Sequence, residues 1–306
     1  MNYLEHFQLV NEPFSNAPDA RFYYASEQHK QALLKLRYSV DSDKGLAVLV
    51  GGVGCGKTTL ARRLLEQLPE DKYESSLLVM VHSGVTQEWI LTRIAVQLGV
   101  ENPAGNRLDL LRQLYHRLLE IEEAGRKAVV LIDEAQMLES RELMEEFRGL
   151  LNLEIPGKKL LNIIFFGLPD VEECLSLDEP LAQRVAVKCH LRSMKDNTTD
   201  AYVRHRLKIA GAKRMFFEPD TLKVIHQFSG GVPRIINTIC DNCLFEAYLR
   251  KQLKVDLPVV ESVVGDLGLT RSAVASAQGG GKVREESAAS DDLDEIDSLL
   301  DNLEMK

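Results

Sequence analysis

Nine consecutive residues, Gly51-Gly52-Val53-Gly54-Cys55-Gly56-Lys57-Thr58-Thr59, have the types and spacing of a phosphate cradle. They fit G-x-x-x-x-G-K-[ST] at Gly51, Gly56, Lys57 and Thr58. Glycines let successive backbone N–H groups wrap an anion, a lysine brings a point charge to the β- and γ-phosphate oxygens, and a threonine hydroxyl can ligate Mg²⁺. A second constellation, Asp133-Glu134, ends the apolar run Ala128-Val129-Val130-Leu131-Ile132, 76 and 77 residues beyond Lys57. Two carboxylates at the end of a buried strand are costly without a cation. Beside a nucleotide, Asp133 would hold Mg²⁺ and Glu134 would orient and activate the attacking water. ATP and Mg²⁺ are the expected ligands, and hydrolysis of ATP to ADP and phosphate is the expected reaction.

Phosphoryl transfer also uses cations beyond one lysine and a metal. Arg184 follows Gln183 just before a strand-like run, where a side chain could face a neighbouring subunit's nucleotide. Arg234 follows Gly230-Gly231-Val232-Pro233, and proline suits a helix's first turn. From there Arg234 would reach back toward the γ-phosphate. On residue type alone, an ordinary surface or ion-pair role is the favoured reading for both arginines.

The elements that must hold these groups follow from hydrophobic periodicity. Leu46–Val50 reads as a short buried strand, and the run from Thr59 opens a helix whose N-terminus favours anions. Further strands are expected at 76–81, 128–133, 161–166 and 185–189, with helices near 86–98, 107–123 and 142–153. Continuous apolar runs suit central parallel strands covered on both faces, and alternation of strand and helix predicts a parallel α/β sheet. Upstream, residues 1–25 are rich in aromatics, and Pro13 and Pro18 argue for an extended, anchored arm. Ser26 can cap a helix over 27–40. From about residue 191 only helical patterns remain, at 199–210, 220–228, 234–250 and 259–267. The expected organisation is an arm and helix (1–44), a P-loop α/β domain (45–190), a small all-helical lid (191–269), and a linker with an acidic tail (270–306).

That tail places Leu293, Ile296, Leu300 and Leu303 at helical spacing among acidic residues, a pattern equally suited to a solvated tail or to a peptide that docks on a protein partner. Residues 271–306 hold 4 basic and 9 acidic groups, so the net charge of −9 falls to −4 in the body, and bulk charge does not announce nucleic-acid binding. Five cysteines form no paired framework, and Cys240-x-x-Cys243 reads as two small apolar helix residues. No run approaches the roughly 18 apolar residues of a membrane span, and the first residues lack a basic region followed by an apolar stretch. A cytoplasmic protein that meets membranes only indirectly is expected.

Taken together, Pro13-Phe14, Pro18-Asp19, the phosphate loop, Asp133-Glu134-Ala135-Gln136, Gly167-Leu168-Pro169-Asp170, Gln183-Arg184 and Gly231-Val232-Pro233-Arg234-Ile235-Ile236-Asn237 resemble the AAA+ ATPases of the general secretion pathway protein A (ExeA-type) group. The resemblance spans about residues 1–250. It implies that Lys57 and Thr58 are the Walker A pair and Asp133 and Glu134 the Walker B pair. It further implies that Arg184 is an arginine finger acting in trans and Arg234 the second sensor. A helical lid, an arm packed near the adenine, and nucleotide-dependent homo-oligomers belong to the same expectation. So does a role in assembling or regulating a secretion, pilus or surface-export system. Two departures matter: Leu168 stands where the group carries a polar residue, and no transmembrane or peptidoglycan-binding region is expected. The alternative is an ATP-dependent DNA-binding adaptor of the transposition target-selection type. Lys195, Arg204, Arg206, Lys208, Lys213 and Arg214 would form its phosphate-tracking face.

Overall fold

The computed structural model describes residues 2–17 and 19–270; the acidic tail lies outside them. Asn2 opens a capping box with Glu5 at the short helix α1 (Tyr3–Phe7), and the arm then runs irregularly to a single 3₁₀ turn at Ala20–Phe22. Ser26 caps α2 (Glu27–Asp41), which leads into β1 (Leu46–Gly51). There follow α3 (Lys57–Glu66), β2 (Tyr73–Val79), α4 (Gln87–Gln97), α5 (Arg107–Glu123), β3 (Lys127–Asp133) and α6 (Arg141–Leu150). A hairpin of β4 (Glu154–Ile155) and β5 (Lys158–Lys159) precedes β6 (Leu161–Gly167). Two short helices, α7 (Val171–Ser176) and α8 (Glu179–Ala182), then lead to β7 (Val185–Leu191).

The five long strands form one parallel sheet in the order β2-β3-β6-β1-β7. β1 and β6 are buried along their whole length, as continuous apolar strands in the middle of a parallel sheet should be. Their side chains alternate between two cores. Leu46, Val48, Val50, Ile163 and Phe165 pack with α4, α5 and α6, while Ala47, Leu49, Ile164 and Phe166 pack with α2 and α3. β7, at an edge, keeps alternation instead: Cys189 and Leu191 are buried, whereas Ala186, Lys188 and His190 are exposed.

The lid comprises α9 (Asp196–Ile209), α10 (Pro219–Ser229), α11 (Pro233–Leu249) and α12 (Leu257–Asp266) around a third core. Cys240 and Cys243 are fully buried in it. So is the arm: Phe7, Leu9, Phe14 and Phe22 join the lid core, with Phe7 and Phe14 meeting Phe216 and Phe217 ring to ring at 4.8 and 6.0 Å between centroids. Phe7, Leu9, Phe14 and Phe22 therefore belong to the lid's core, whereas Tyr23 and α2 pack on the sheet's. Arg206 fastens arm to lid. It is 7% exposed, donates to the carbonyl oxygens of Pro13 and Ser15 and to the Tyr202 hydroxyl, and lies over the Phe22 ring at 4.9 Å. This removes Arg206 from the basic outward face expected of a DNA adaptor, because its donors are spent on the arm. Arg204 is paired with Asp200 at 2.8 Å.

The chain leaving β7 enters the lid at a tight seam. The Met194 N–H donates to the Gly231 carbonyl at 2.7 Å, and a Cβ at Gly231 would sit 2.0 Å from the Met194 carbonyl oxygen. Gly231 also has φ +74°, so only glycine fits there without strain.

Candidate nucleotide site

The phosphate loop leaves the C-terminal end of β1 and turns into α3, at the sheet edge where open α/β sheets bind ligands. A cleft of about 460 Å³ opens above it, lined by Val53 to Thr59 on one wall and by the arm and lid on the other. Gly52 starts the loop, its carbonyl accepting the Cys55 N–H at 3.3 Å. Gly51 ends β1, and Cys55 is buried against α2 and α3, so the loop's apolar side faces the core. Lys57 is 6% exposed, and its Nζ donates to the Gly52 carbonyl at 3.2 Å. Burial pushes its pKa below the ordinary lysine value, against the pull of Glu134 and Asp133, which favours the charged form.

Asp133 lies at the end of β3, with β6 between it and the β1 strand that carries the loop. The first turn of α3 spans that gap. Asp133 is 0% exposed; its Oδ1 accepts the Glu134 N–H at 3.0 Å, and its Oδ2 is buried with no partner. Burial raises its pKa above the ordinary carboxylate value, opposed by the Thr58 hydroxyl and the Glu134 N–H and then reinforced by the Glu134 charge. Desolvating a carboxylate costs several kcal/mol, and a hydrogen bond to a charged group returns about 1.5–3 kcal/mol. Desolvation wins, and a divalent cation would reverse the balance. The buried, unpaired Oδ2 thus fits a hard cation, for which Asp133 and Thr58 could supply protein oxygen ligands.

Glu134 lines the cleft in left-handed backbone conformation, φ +54° and ψ +37°. For a non-glycine residue this costs about 1–2 kcal/mol. The turn is held by the Asp133 hydrogen bond and by the Met137 N–H donating to the Glu134 carbonyl at 2.9 Å.

The other wall comes from distant parts of the chain. Asn16, Phe22, Tyr23 and Tyr24 of the arm line it with Tyr202, Arg206, Arg234 and Asn237 of the lid. Asn237 accepts from the Tyr202 hydroxyl at 2.9 Å and donates to Asn16 at 3.1 Å. Aromatic rings with side-chain amides and an arginine suit a flat heteroaromatic base. Asn16, Tyr202 and Asn237 were not singled out as site residues from sequence. The one signal was Asn237 inside the Gly231–Asn237 run.

Arg234 lies in the first turn of α11, with its backbone N–H donating to the Gly54 carbonyl at 3.4 Å, so the lid touches the phosphate loop. Arg184 does not line this cleft. It follows α8, and its guanidinium is held by Asn152 Oδ1 at 2.6 Å and the Arg148 carbonyl at 3.3 Å. Leu168, at the end of β6, presents an apolar side chain to the cleft. Asn162 is at the opposite end of that strand, bonded to Gly45 and Asp43.

Residues 40–175 match the AAA domain family model. The chain is 38% identical over 279 residues to general secretion pathway protein A of Aeromonas hydrophila; the match covers 89% of this chain but only about half, 48%, of that relative. Three solved structures share the fold. The Aeropyrum pernix ORC2 protein has a TM-score of 0.63 at 18% identity, covering 84% of this chain and 72% of that one. Cdc6p from Pyrobaculum aerophilum has a TM-score of 0.64 at 18% identity, covering 84% and 71%. The Thermotoga maritima RuvB Holliday junction branch migration motor has a TM-score of 0.53 at 16% identity, covering 79% and 70%. With the phosphate loop at the end of β1 and the acidic pair at the end of β3, residues 40–175 form an AAA domain of the P-loop fold, in a chain that is similar over most of its own length to general secretion pathway protein A.

Proposed function

We propose that this chain binds ATP with Mg²⁺, hydrolyses the ATP, and uses its nucleotide state to control assembly with further copies of itself. The observation that carries the reading is the convergence of Lys57, Thr58 and Glu134 on one cleft, with Asp133 buried beside them and one of its carboxylate oxygens unpaired. Lys57 and the loop N–H groups hold the phosphates; Thr58 and Asp133 hold the metal. Bound Mg²⁺ neutralises phosphate charge and the Asp133 carboxylate. Glu134 orients a water for attack on the γ-phosphorus and takes its proton as the bond to the β-phosphate oxygen breaks and ADP leaves.

Arg234 brings a cation from the lid, so lid position responds to the phosphate content of the cleft. Arg184, outside its own cleft and pre-positioned by Asn152, serves the site of a neighbouring copy. Similarity to general secretion pathway protein A supports a role in a secretion, pilus or surface-export system, reached from the cytoplasm. No helix among the described residues is long and apolar enough to cross a membrane. The acidic segment 291–304 is assigned to contact with a protein partner on its sequence pattern.

Steady-state ATPase activity and size distribution, with and without double-stranded DNA, test the reading. Lys57→Ala should lose nucleotide binding. Glu134→Gln should bind ATP, lose about 10²-fold or more in turnover, and accumulate larger assemblies. A wild-type chain that binds ATP without hydrolysing it, or equal turnover by Glu134→Gln, would overturn the catalytic assignment. Activation by DNA would move the function to the adaptor class.

A further inference from the structure

Between the water-orienting carboxylate and the end of β6 lies a buried side chain to which no role has been assigned. Gln136 sits in the single 3₁₀ turn Ala135–Met137 after β3 and is 6% exposed. Its Nε2 donates to Glu134 Oε2 at 2.6 Å, and its Oε1 accepts the Leu168 N–H at 3.0 Å. The two bonds fix the orientation of the amide. A backbone N–H can only donate and a carboxylate can only accept, so the flipped amide would face N–H against N–H and oxygen against oxygen. A third contact comes from the backbone, where the Gln136 carbonyl accepts from Cys174 Sγ on α7 at 3.5 Å.

Room for the amide is made by Gly167, the last residue of β6: a Cβ there would stand 3.2 Å from Gln136 Oε1 and 3.0 Å from Val171 Cβ. Leu168 lines the cleft but offers it no polar side chain. What the end of β6 does offer is a main-chain N–H, and Gln136 converts its position into a position for Glu134.

We propose that Gln136 is the positioning residue for Glu134, its amide bridging the Glu134 carboxylate to the Leu168 N–H so that the end of β6 sets where the carboxylate points. With Oε2 held by the amide, Oε1 is left to accept from water. A base oriented by a third group is the logic of activated catalytic pairs generally. The bridge also makes Glu134 sensitive to the segment that leaves β6. The Val171 N–H donates to the Leu168 carbonyl at 3.0 Å, α7 contacts Gln136 through Cys174, and α8 then leads to Arg184. A shift of the 168–184 segment is thereby passed to the hydrolytic carboxylate through one amide.

This inference rests on the reading of Glu134 as the water-orienting group, and a double-mutant cycle on the full-length chain separates the two. Gln136→Met keeps the length of the side chain and removes both amide bonds. Its kcat should fall about 10–100-fold, since misplacement of a reacting group by about 1 Å costs that much, while KM and the affinity for a fluorescent ATP analogue stay within twofold. In a Glu134→Ala background the same change should alter the residual turnover less than twofold, because the amide then has nothing to position. Thermal unfolding of the four proteins without nucleotide should show non-additive midpoints, which reports the amide–carboxylate contact independently of catalysis.

A kcat for Gln136→Met within twofold of wild type would overturn the proposal. So would a loss that persists undiminished in Glu134→Ala, or additive unfolding midpoints. Absence of turnover in the wild type together with non-additive midpoints would sink the hydrolytic function and, with it, the role of the bridge in catalysis. Additive midpoints in an active enzyme would sink the bridge alone.

Discussion

Lys57 at the start of α3 and Asp133 and Glu134 at the end of β3 are placed by a few flanking residues, whereas Asn16 and Asn237 meet across 221 residues to build the opposite wall of the same cleft. The phosphate wall is ionic and rigid. Lys57 and Asp133 are buried, its backbone is bent into glycine-dependent and left-handed turns, and its apolar side is set in the sheet core. The arm–lid wall is aromatic and amide-lined, and its core is separate from either core of the sheet. Charge must be held at fixed distances from a transferring phosphoryl group, while a flat base needs only a stacking surface that can open and close. Met194 bonds Gly231 where the chain leaving the sheet enters the lid, and Arg234 bonds the loop at Gly54.

The sharpest way to break this arrangement is at the seam. Gly231→Ala forces a Cβ against the Met194 carbonyl in a positive-φ backbone, and a loss of about 3–5 kcal/mol in unfolding free energy is expected by denaturant titration. Unchanged stability would show that the seam relaxes easily and that the walls are not hinged there.

Arg206→Met touches the arm–lid wall alone. It strands the carbonyls of Pro13 and Ser15 and should cost about 2–4 kcal/mol, with the arm becoming sensitive to limited proteolysis. ATP affinity should fall while kcat at saturating ATP stays within a few fold. A kcat loss as large as that of Glu134→Gln would mean that the two walls are not separable.

Arg184→Ala touches neither wall of its own cleft. Turnover should drop about tenfold or more at unchanged nucleotide affinity, and specific activity of the wild type should rise with protein concentration. A strictly monomeric active enzyme would place Arg184 among structural residues.

The smallest expected effect belongs to the phosphate wall and to pH. His29 is buried, its Nδ1 at 2.6 Å from Ser26 Oγ, and its side chain reaches the loop at Gly56. Burial pushes its pKa below the ordinary value, partly offset by the Cys55 backbone. The folded protein therefore keeps His29 neutral where the unfolded chain takes up a proton. Stability should decline as pH falls below about 6.5 and level off below the folded-state pKa. His29→Asn should flatten that decline in melting temperature between pH 7.5 and 5.5. An identical slope in wild type and variant would assign the pH dependence elsewhere.

Much of this was legible from residue patterns. α5 begins and ends at the residues its periodicity indicates, 107 and 123, and the parallel sheet follows from the apolar runs. β2 starts earlier than its apolar run because Tyr73 pairs with Lys127, so register with β3 overrides composition. The β4–β5 hairpin and the helices α7 and α8 are too short to show a period and escaped notice. By sequence Arg206 reads as one of several surface cations because charge is normally solvated, and only the arm's carbonyls explain its burial.

By itself the sequence determined the phosphate loop, the acidic pair and the alternation of strand and helix, because each is written in residues within a turn or a strand of one another. Tertiary structure alone decided that β6 lies between the strands that carry the phosphate loop and the acidic pair, and that the arm shares a core with the lid. It also decided that Arg184 turns away from its own cleft and that Gln136 ties Glu134 to Leu168. These depend on contacts between segments far apart in the chain, and local propensity carries no information about which distant backbone N–H a buried amide will meet.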